Sequence, residues 1–206
     1  MTRSAAHPVR RKVLLALMMG AWAAGLRPGT ARANTAAHYS EGVTLKAVRL
    51  DAVPAVPVMS MSGHAVRLDR ELDTNTPVLL NFVFTTCSTT CSMQTAVLAE
   101  LQRQFVQRGQ ALRLVSITID PDNDTPEQLR KFSKSFDIRP GWQFLTGRFD
   151  DLLRVQRHFD VYRGSKAAHP PVVMMRGSAR AAWARMEGVA SVADLTLALR
   201  SLKPAA

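Results

Sequence analysis

Cysteine is scarce in this chain: Cys87 and Cys91 are the only two in 206 residues. That excludes a framework of disulfides between distant segments, because no other cysteine is available to bridge to. A bond between these two would close only a tiny loop, stabilising by roughly 2 kcal/mol in the chain-entropy view. The pair therefore reads as a redox or metal site rather than a staple. The sequence also lacks any block of Lys and Arg interleaved with aromatics, which argues against nucleic-acid binding. Internal repeats and low-complexity linkers are absent too, so one domain with a proper core is expected.

The longest apolar stretch near the start is too short for an ordinary membrane span. Arg3, Arg10, Arg11 and Lys12 precede the apolar run 13–26, and Ala31-Arg32-Ala33 follows as a small-residue cleavage pattern. A span needs about 20 apolar residues. The segment reads as a secretory signal over 1–33, with the mature chain starting at Asn34. Arg10-Arg11 also fits a twin-arginine signal, and an uncleaved segment would leave the protein anchored to the membrane. The formal charge of +11 includes six basic residues within 1–33, so the mature chain carries +5. That mild balance suits an acidic partner or a membrane surface without selecting one. Residues 34–42 read as a flexible mature N-terminus, and 43–206 as the folded domain.

Within the domain, strands alternate with helices. Stretches 43–50 and 57–72 read as short strands and turns, with Ser62-Gly63-His64 at a hairpin tip. Residues 78–85 (V-L-L-N-F-V-F-T) have the continuous apolar character of a strand buried on both faces. A helix over 92–108 follows, then a strand over 112–119. Asp120-Pro121 ends that strand. Thr125-Pro126-Glu127-Gln128 opens a helix to about Phe136, with Thr125 as cap, Pro126 at the first position and Gln128 able to close a capping box. Further elements are expected at 142–145, 150–159, 171–175, 181–186 and 190–202. The pattern predicts an α/β fold, a central mixed sheet flanked by helices with an N-terminal β-hairpin extension.

The two cysteines fall in T-T-C-S-T-T-C-S-M, at the carboxyl end of a central strand where a helix opens. This is a thioredoxin-like placement. A helix N-terminus favours anions, so thiolates there become accessible near neutral pH. An oxidising compartment would tend to close the pair into a disulfide, and a function requiring thiols then needs a thiol reductant. Two soft thiolates suit Cu(I), and an added imidazole makes a set that also holds Cu(II). His169, in Ala168-His169-Pro170-Pro171 before an apolar strand, is the candidate imidazole. In thioredoxin-like folds the corresponding loop often carries a cis-proline beside the cysteines, and Pro171 is the candidate for it.

The combination N-F-V-F-T-T-C-S-T-T-C, S-I-T-I-D-P-D-N-D-T-P-E-Q-L, F-L-T-G and a histidine before an apolar strand resembles the Sco/SenC family over roughly 43–203. These are thioredoxin-fold copper-binding proteins implicated in building the CuA centre of cytochrome c oxidase. The resemblance implies copper ligands at Cys87, Cys91 and His169, and a receiving partner in the CuA subunit or another copper protein. It also implies that Asp120 either supports the site or contacts the partner. The chain departs from the family in three places. Ser92 stands where proline is usual, 161–168 is short, and Pro170-Pro171 follows the histidine.

Two other functions fit a cysteine pair. A thiol–disulfide oxidoreductase would use Cys87 and Cys91 as the catalytic pair. A peroxiredoxin-like peroxidase would need a Thr and an Arg around its thiolate; Thr85 and Thr86 are nearby, but no arginine can be placed. Other metal-binding side chains are read blandly: Met59 and Met61 as one strand face, Met174 and Met175 as core, His64 as a turn residue, and His158 as packing near Phe159. Met93 lies near the pair in sequence, and His38 lies in the loose N-terminus. Asp120, Asp122 and Asp124 lack the glycine and glutamate of an EF-hand.

Overall fold

A computed structural model describes residues 39–202. The expected signal segment and His38 lie outside the described residues. Eight strands and five helices follow one another in the order β1 (Thr44–Val48), β2 (Pro57–Ser60), β3 (Ala65–Arg67), α1 (Leu68–Leu72), β4 (Val78–Val83), α2 (Thr90–Gln107), β5 (Arg113–Thr118), α3 (Pro126–Lys134), β6 (Trp142–Thr146), α4 (Phe149–His158), β7 (Val172–Arg176), β8 (Trp183–Glu187) and α5 (Val192–Ser201). A single 3-10 turn, Lys166–Ala168, precedes β7.

The strands form one mixed sheet in the order β1-β8-β7-β4-β5-β6-β2-β3. β4, β5 and β6 run parallel, while β7 lies antiparallel to β4. All six residues of β4 are buried, as its unbroken apolar run requires of a strand covered on both faces. Alternate residues feed two cores. Leu79 and Val83 pack with α2 and α5 through Leu98, Leu101 and Leu195, whereas Leu80 and Phe82 pack with α1 and α4 through Leu72, Leu152 and Val155. A buried polar chain also crosses three strands: Trp142 Nε1 donates to Ser116 Oγ at 2.9 Å, and Ser116 Oγ donates to Asn81 Oδ1 at 2.6 Å.

Most expected elements are present within a few residues. The hairpin turns at Gly63, whose φ of 85° suits glycine. Thr125 caps α3 by accepting the Gln128 N–H at 3.3 Å, with Pro126 in the first turn, and α3 ends at Lys134 rather than Phe136. Three expectations are corrected. Residues 68–72 form a short helix rather than strand and turn, because Leu68 and Leu72, one helical repeat apart, are both fully buried. Of the segment 34–42, expected to be loose, the described part 39–42 is fastened to α5: Ser40 donates from its N–H and hydroxyl to Asp194, each at 2.8 Å. Finally, every peptide bond among the described residues is trans, so Pro171 is not a cis-proline.

Gly188 locks the end of β8 beside the site. Its φ is 98°, and an added Cβ would fall 2.4 Å from the Gly42 carbonyl oxygen. Its N–H donates to the Pro171 carbonyl at 3.0 Å, steadying the chain just after His169.

Candidate metal and thiol centre

The loop from β4 into α2 carries both cysteines, and a buried carboxylate holds it in place. Asp124 is fully buried and accepts from the Thr85 N–H at 3.2 Å, the Thr85 hydroxyl at 2.5 Å and the Thr118 hydroxyl at 2.5 Å. It therefore ties the end of β4 to the end of β5, two residues before Cys87. The helical side is tied as well. Ser92 Oγ donates to the Cys87 carbonyl at 2.9 Å, a bond that a proline at this position could not make. Thr95 Oγ1 donates to the Cys91 carbonyl at 2.7 Å.

Both cysteines are free thiols, but they are not equivalent. Cys87 is half-buried and Cys91 is buried. Burial raises the Cys87 pKa, yet the Cys91 N–H, which donates to Cys87 Sγ at 3.4 Å, together with the Cys91 thiol and Thr89, outweighs it and the net shift is downward. Burial pushes the Cys91 thiol up to about 12, aided by the nearby Cys87 and Asp124 charges and only partly opposed by the Phe84 backbone. The sequence-level expectation of two readily formed thiolates is thus corrected. The helix N-terminus lies near both sulfurs, but desolvation decides the matter for the inner one.

His169 follows the 3-10 turn and lines the same cavity of about 300 Å³ as Cys87 and Cys91. Its ring meets Phe82 edge-on at 6.0 Å, and both of its ring nitrogens are buried without a hydrogen-bond partner. Burial lowers its pKa below the usual imidazole value, outweighing the Val161 and Phe82 backbone groups, which lie close enough to favour the protonated ring but make no hydrogen bond of standard geometry with it. A neutral imidazole with unpaired nitrogens is the form a metal requires. Among the described residues, no three His, Cys, Asp or Glu side chains already converge on one point. The Cys pair and His169 line one space without converging on a common point in it.

Asp120 stands one cavity away. It lines a neighbouring space of about 190 Å³ that it shares with Lys166 and His169, and it does not line the cysteine cavity. Lys166 lines both cavities, pairs with Asp120 at 2.5 Å and lies 5.7 Å above the Phe84 ring. Asn123 also donates to Asp120 at 2.9 Å. Burial raises the Asp120 pKa, but Lys166 and Asn123 outweigh it and hold the carboxyl below its ordinary value. Asp120 thus reaches the His169 loop through Lys166.

The remaining candidates fall away. Met93 is 51% exposed and does not line the cavity. Met174 and Met175 are core, and Met61 packs against it. His64 pairs with the Ser62 hydroxyl at 3.1 Å, and His158 packs edge-on against Phe159 at 4.8 Å. Among the described residues no arginine lines the cysteine cavity, and the Thr85 hydroxyl is committed to Asp124, so these residues do not form the peroxidase arrangement. Sequence reasoning missed Asp124, Lys166 and Gln94. The signal available for Asp124 was its place one residue before a helix cap, where a buried carboxylate can bond across to neighbouring strands.

A mixed sheet with two cysteines at the switch from a central parallel strand into a helix, and a histidine before the adjacent antiparallel strand, defines a thioredoxin-like thiol or metal protein. Residues 60–182 match the SCO1/SenC family, and the chain belongs to it. A SCO1 protein homolog of Bacillus subtilis (strain 168) is 39% identical over 70 residues, 34% of this chain and 36% of that protein. The match thus spans little more than a third of that relative's length. BsSco, a member of the Sco family of cytochrome c oxidase assembly proteins with a disulfide switch, superimposes with a TM-score of 0.64 at 23% identity, covering 76% of this chain and 95% of that one. ScoI of Arabidopsis thaliana, solved with copper bound, gives 0.60 at 22% identity, covering 71% and 94%. These likenesses establish the fold as Sco-type and thioredoxin-like.

Proposed function

We propose that this protein is an exported copper metallochaperone that holds copper on Cys87, Cys91 and His169 and passes it to a receiving protein, the CuA subunit of cytochrome c oxidase being the receiver the family points to. One observation carries this reading. Two soft sulfurs and a neutral imidazole with both nitrogens unpartnered face a single cavity. A metal bond to one ring nitrogen would relieve part of the cost of burying the imidazole without hydrogen bonds. Cys87, the more acidic and more accessible thiol, is the first donor. Cys91 gives up its proton only when the metal takes its place. Transfer follows by ligand exchange: a donor of the receiving protein joins three-coordinate copper, and one protein ligand leaves. The periplasm and an initial signal at 1–33 are part of the same reading, and so is a periplasmic thiol reductant that keeps the pair open.

A copper titration of the reduced protein tests it. One tight equivalent is expected, with a sulfur-to-copper charge-transfer band for Cu(II) that disappears in His169→Ala. Stoichiometric Cu(I) binding of unchanged affinity in Cys87→Ser would sink the proposal.

The split between the two thiols favours a second reading, a thiol–disulfide oxidoreductase. The Cys87 thiolate would attack a client disulfide, form a mixed disulfide and release one client thiolate. Cys91, once deprotonated, would attack the Cys87 sulfur and release the second. The client then gains two electrons and the chain ends as a Cys87–Cys91 disulfide. His169→Ala separates the two functions, because exchange does not use the imidazole.

A further inference from the structure

Gln94 lies on α2 three residues after Cys91, on the same face of the helix. Its side chain is 3% exposed, and neither its amide oxygen nor its amide nitrogen has a hydrogen-bond partner. It lines the cavity of Cys87, Cys91 and His169. Four buried polar atoms, two from Gln94 and two from His169, thus lack protein partners around a single space. A buried amide with nothing in the protein to bond is costly. An amide retained there needs something in the cavity to bond to. Its carbonyl is a hard, neutral oxygen donor. Such a group adds little to soft Cu(I) held by thiolates, but it can serve Cu(II) as a weak axial ligand beside sulfur and imidazole.

We propose that Gln94 supplies a fourth, weak oxygen donor to copper in this cavity and so biases the site toward Cu(II). The proposal rests on the copper reading above. In that arrangement Cys87, Cys91 and His169 would supply the strong bonds and the Gln94 carbonyl a weak one. The Gln94 amide makes no hydrogen bond to the protein, and metal capture would give its carbonyl oxygen a partner.

The test uses the full chain and two substitutions, Gln94→Leu and Gln94→Met, with Cu(I) and Cu(II) affinities measured by chelator competition and the Cu(II) site followed by electron paramagnetic resonance. In Gln94→Leu, Cu(II) affinity is expected to fall about tenfold relative to Cu(I), with altered hyperfine splitting. Gln94→Met, unbranched and adaptable in a core, is expected to keep the fold and replace the oxygen signature with that of a thioether. Without metal, Gln94→Leu should melt above the unsubstituted chain, because an unpaired amide has been removed. An unchanged ratio of Cu(II) to Cu(I) affinity and an unchanged spectrum in both variants, while the unsubstituted chain binds one copper, would overturn the role of Gln94 alone. A metal-free Gln94→Leu that melts lower would overturn it too, by showing the amide to be paired. No copper binding by the unsubstituted chain would overturn this proposal together with the copper reading.

Discussion

At the residue scale, the site depends on an asymmetry between two chemically identical side chains. Cys87 is held as the more acidic thiol, and Cys91 as a thiol with a pKa of about 12. At pH 7.5, iodoacetamide is therefore expected to alkylate Cys87 first, with Cys91 protected until the protein unfolds; peptide mass mapping at successive times checks this. The same difference sets a pH dependence. The folded pKa of Cys91 lies above its ordinary value of 9.0, so the folded state keeps this proton while the unfolded state loses it. The stabilisation is whole below pH 9 and is lost as pH rises through about 12. Cys91→Ala is expected to flatten the fall in melting temperature over that window relative to the parent chain. None of this could be read in the sequence. The spacing of the cysteines and their place at a strand end were legible, because they follow local patterns. Burial of one sulfur and not the other depends on how α2 seats against the sheet.

At the scale of elements, the site is assembled from the ends of three neighbouring strands, β5, β4 and β7, and the ties between those ends matter more than the helices behind them. Asp124 is the main tie, since one fully buried carboxylate satisfies Thr85 twice and Thr118 once. Asp124→Ala leaves those donors unpaired in the interior and is expected to cost about 3 kcal/mol in urea unfolding. It should also loosen the Cys87 loop, so that iodoacetamide no longer discriminates between the two cysteines. A variant of full stability with preserved discrimination would contradict this role. β4 was legible because a strand covered on both faces leaves an unbroken apolar run. α1 was not, because five residues give too little periodicity. The edge positions of β1 and of the β2–β3 hairpin were also hidden, since sheet order is fixed by distant pairings that no local pattern encodes.

At the scale of the whole molecule, copper capture links parts of the chain that are far apart in sequence. Cys87 and Cys91 sit between β4 and α2, and His169 sits before β7, the strand that pairs antiparallel with β4. An ion held by all three would clamp the β4–α2 loop to the loop before β7, which Lys166 and Asp120 already tether from outside. A ligand that binds only the folded state stabilises it by mass action, by about 4 kcal/mol at a thousandfold excess over its dissociation constant. Copper is therefore expected to raise the melting temperature of the reduced protein, and a chelator should reverse the gain. The disulfide form, lacking thiolates, should show no gain. His169→Ala should retain only part of it, since two sulfurs on one loop bind the metal without bridging β4 to β7. Differential scanning calorimetry of the four samples distinguishes a clamp across the sheet from a local thiol site. If His169→Ala gained as much as the parent chain, copper would be bound by the β4–α2 loop alone and the imidazole would take no part in holding the fold together.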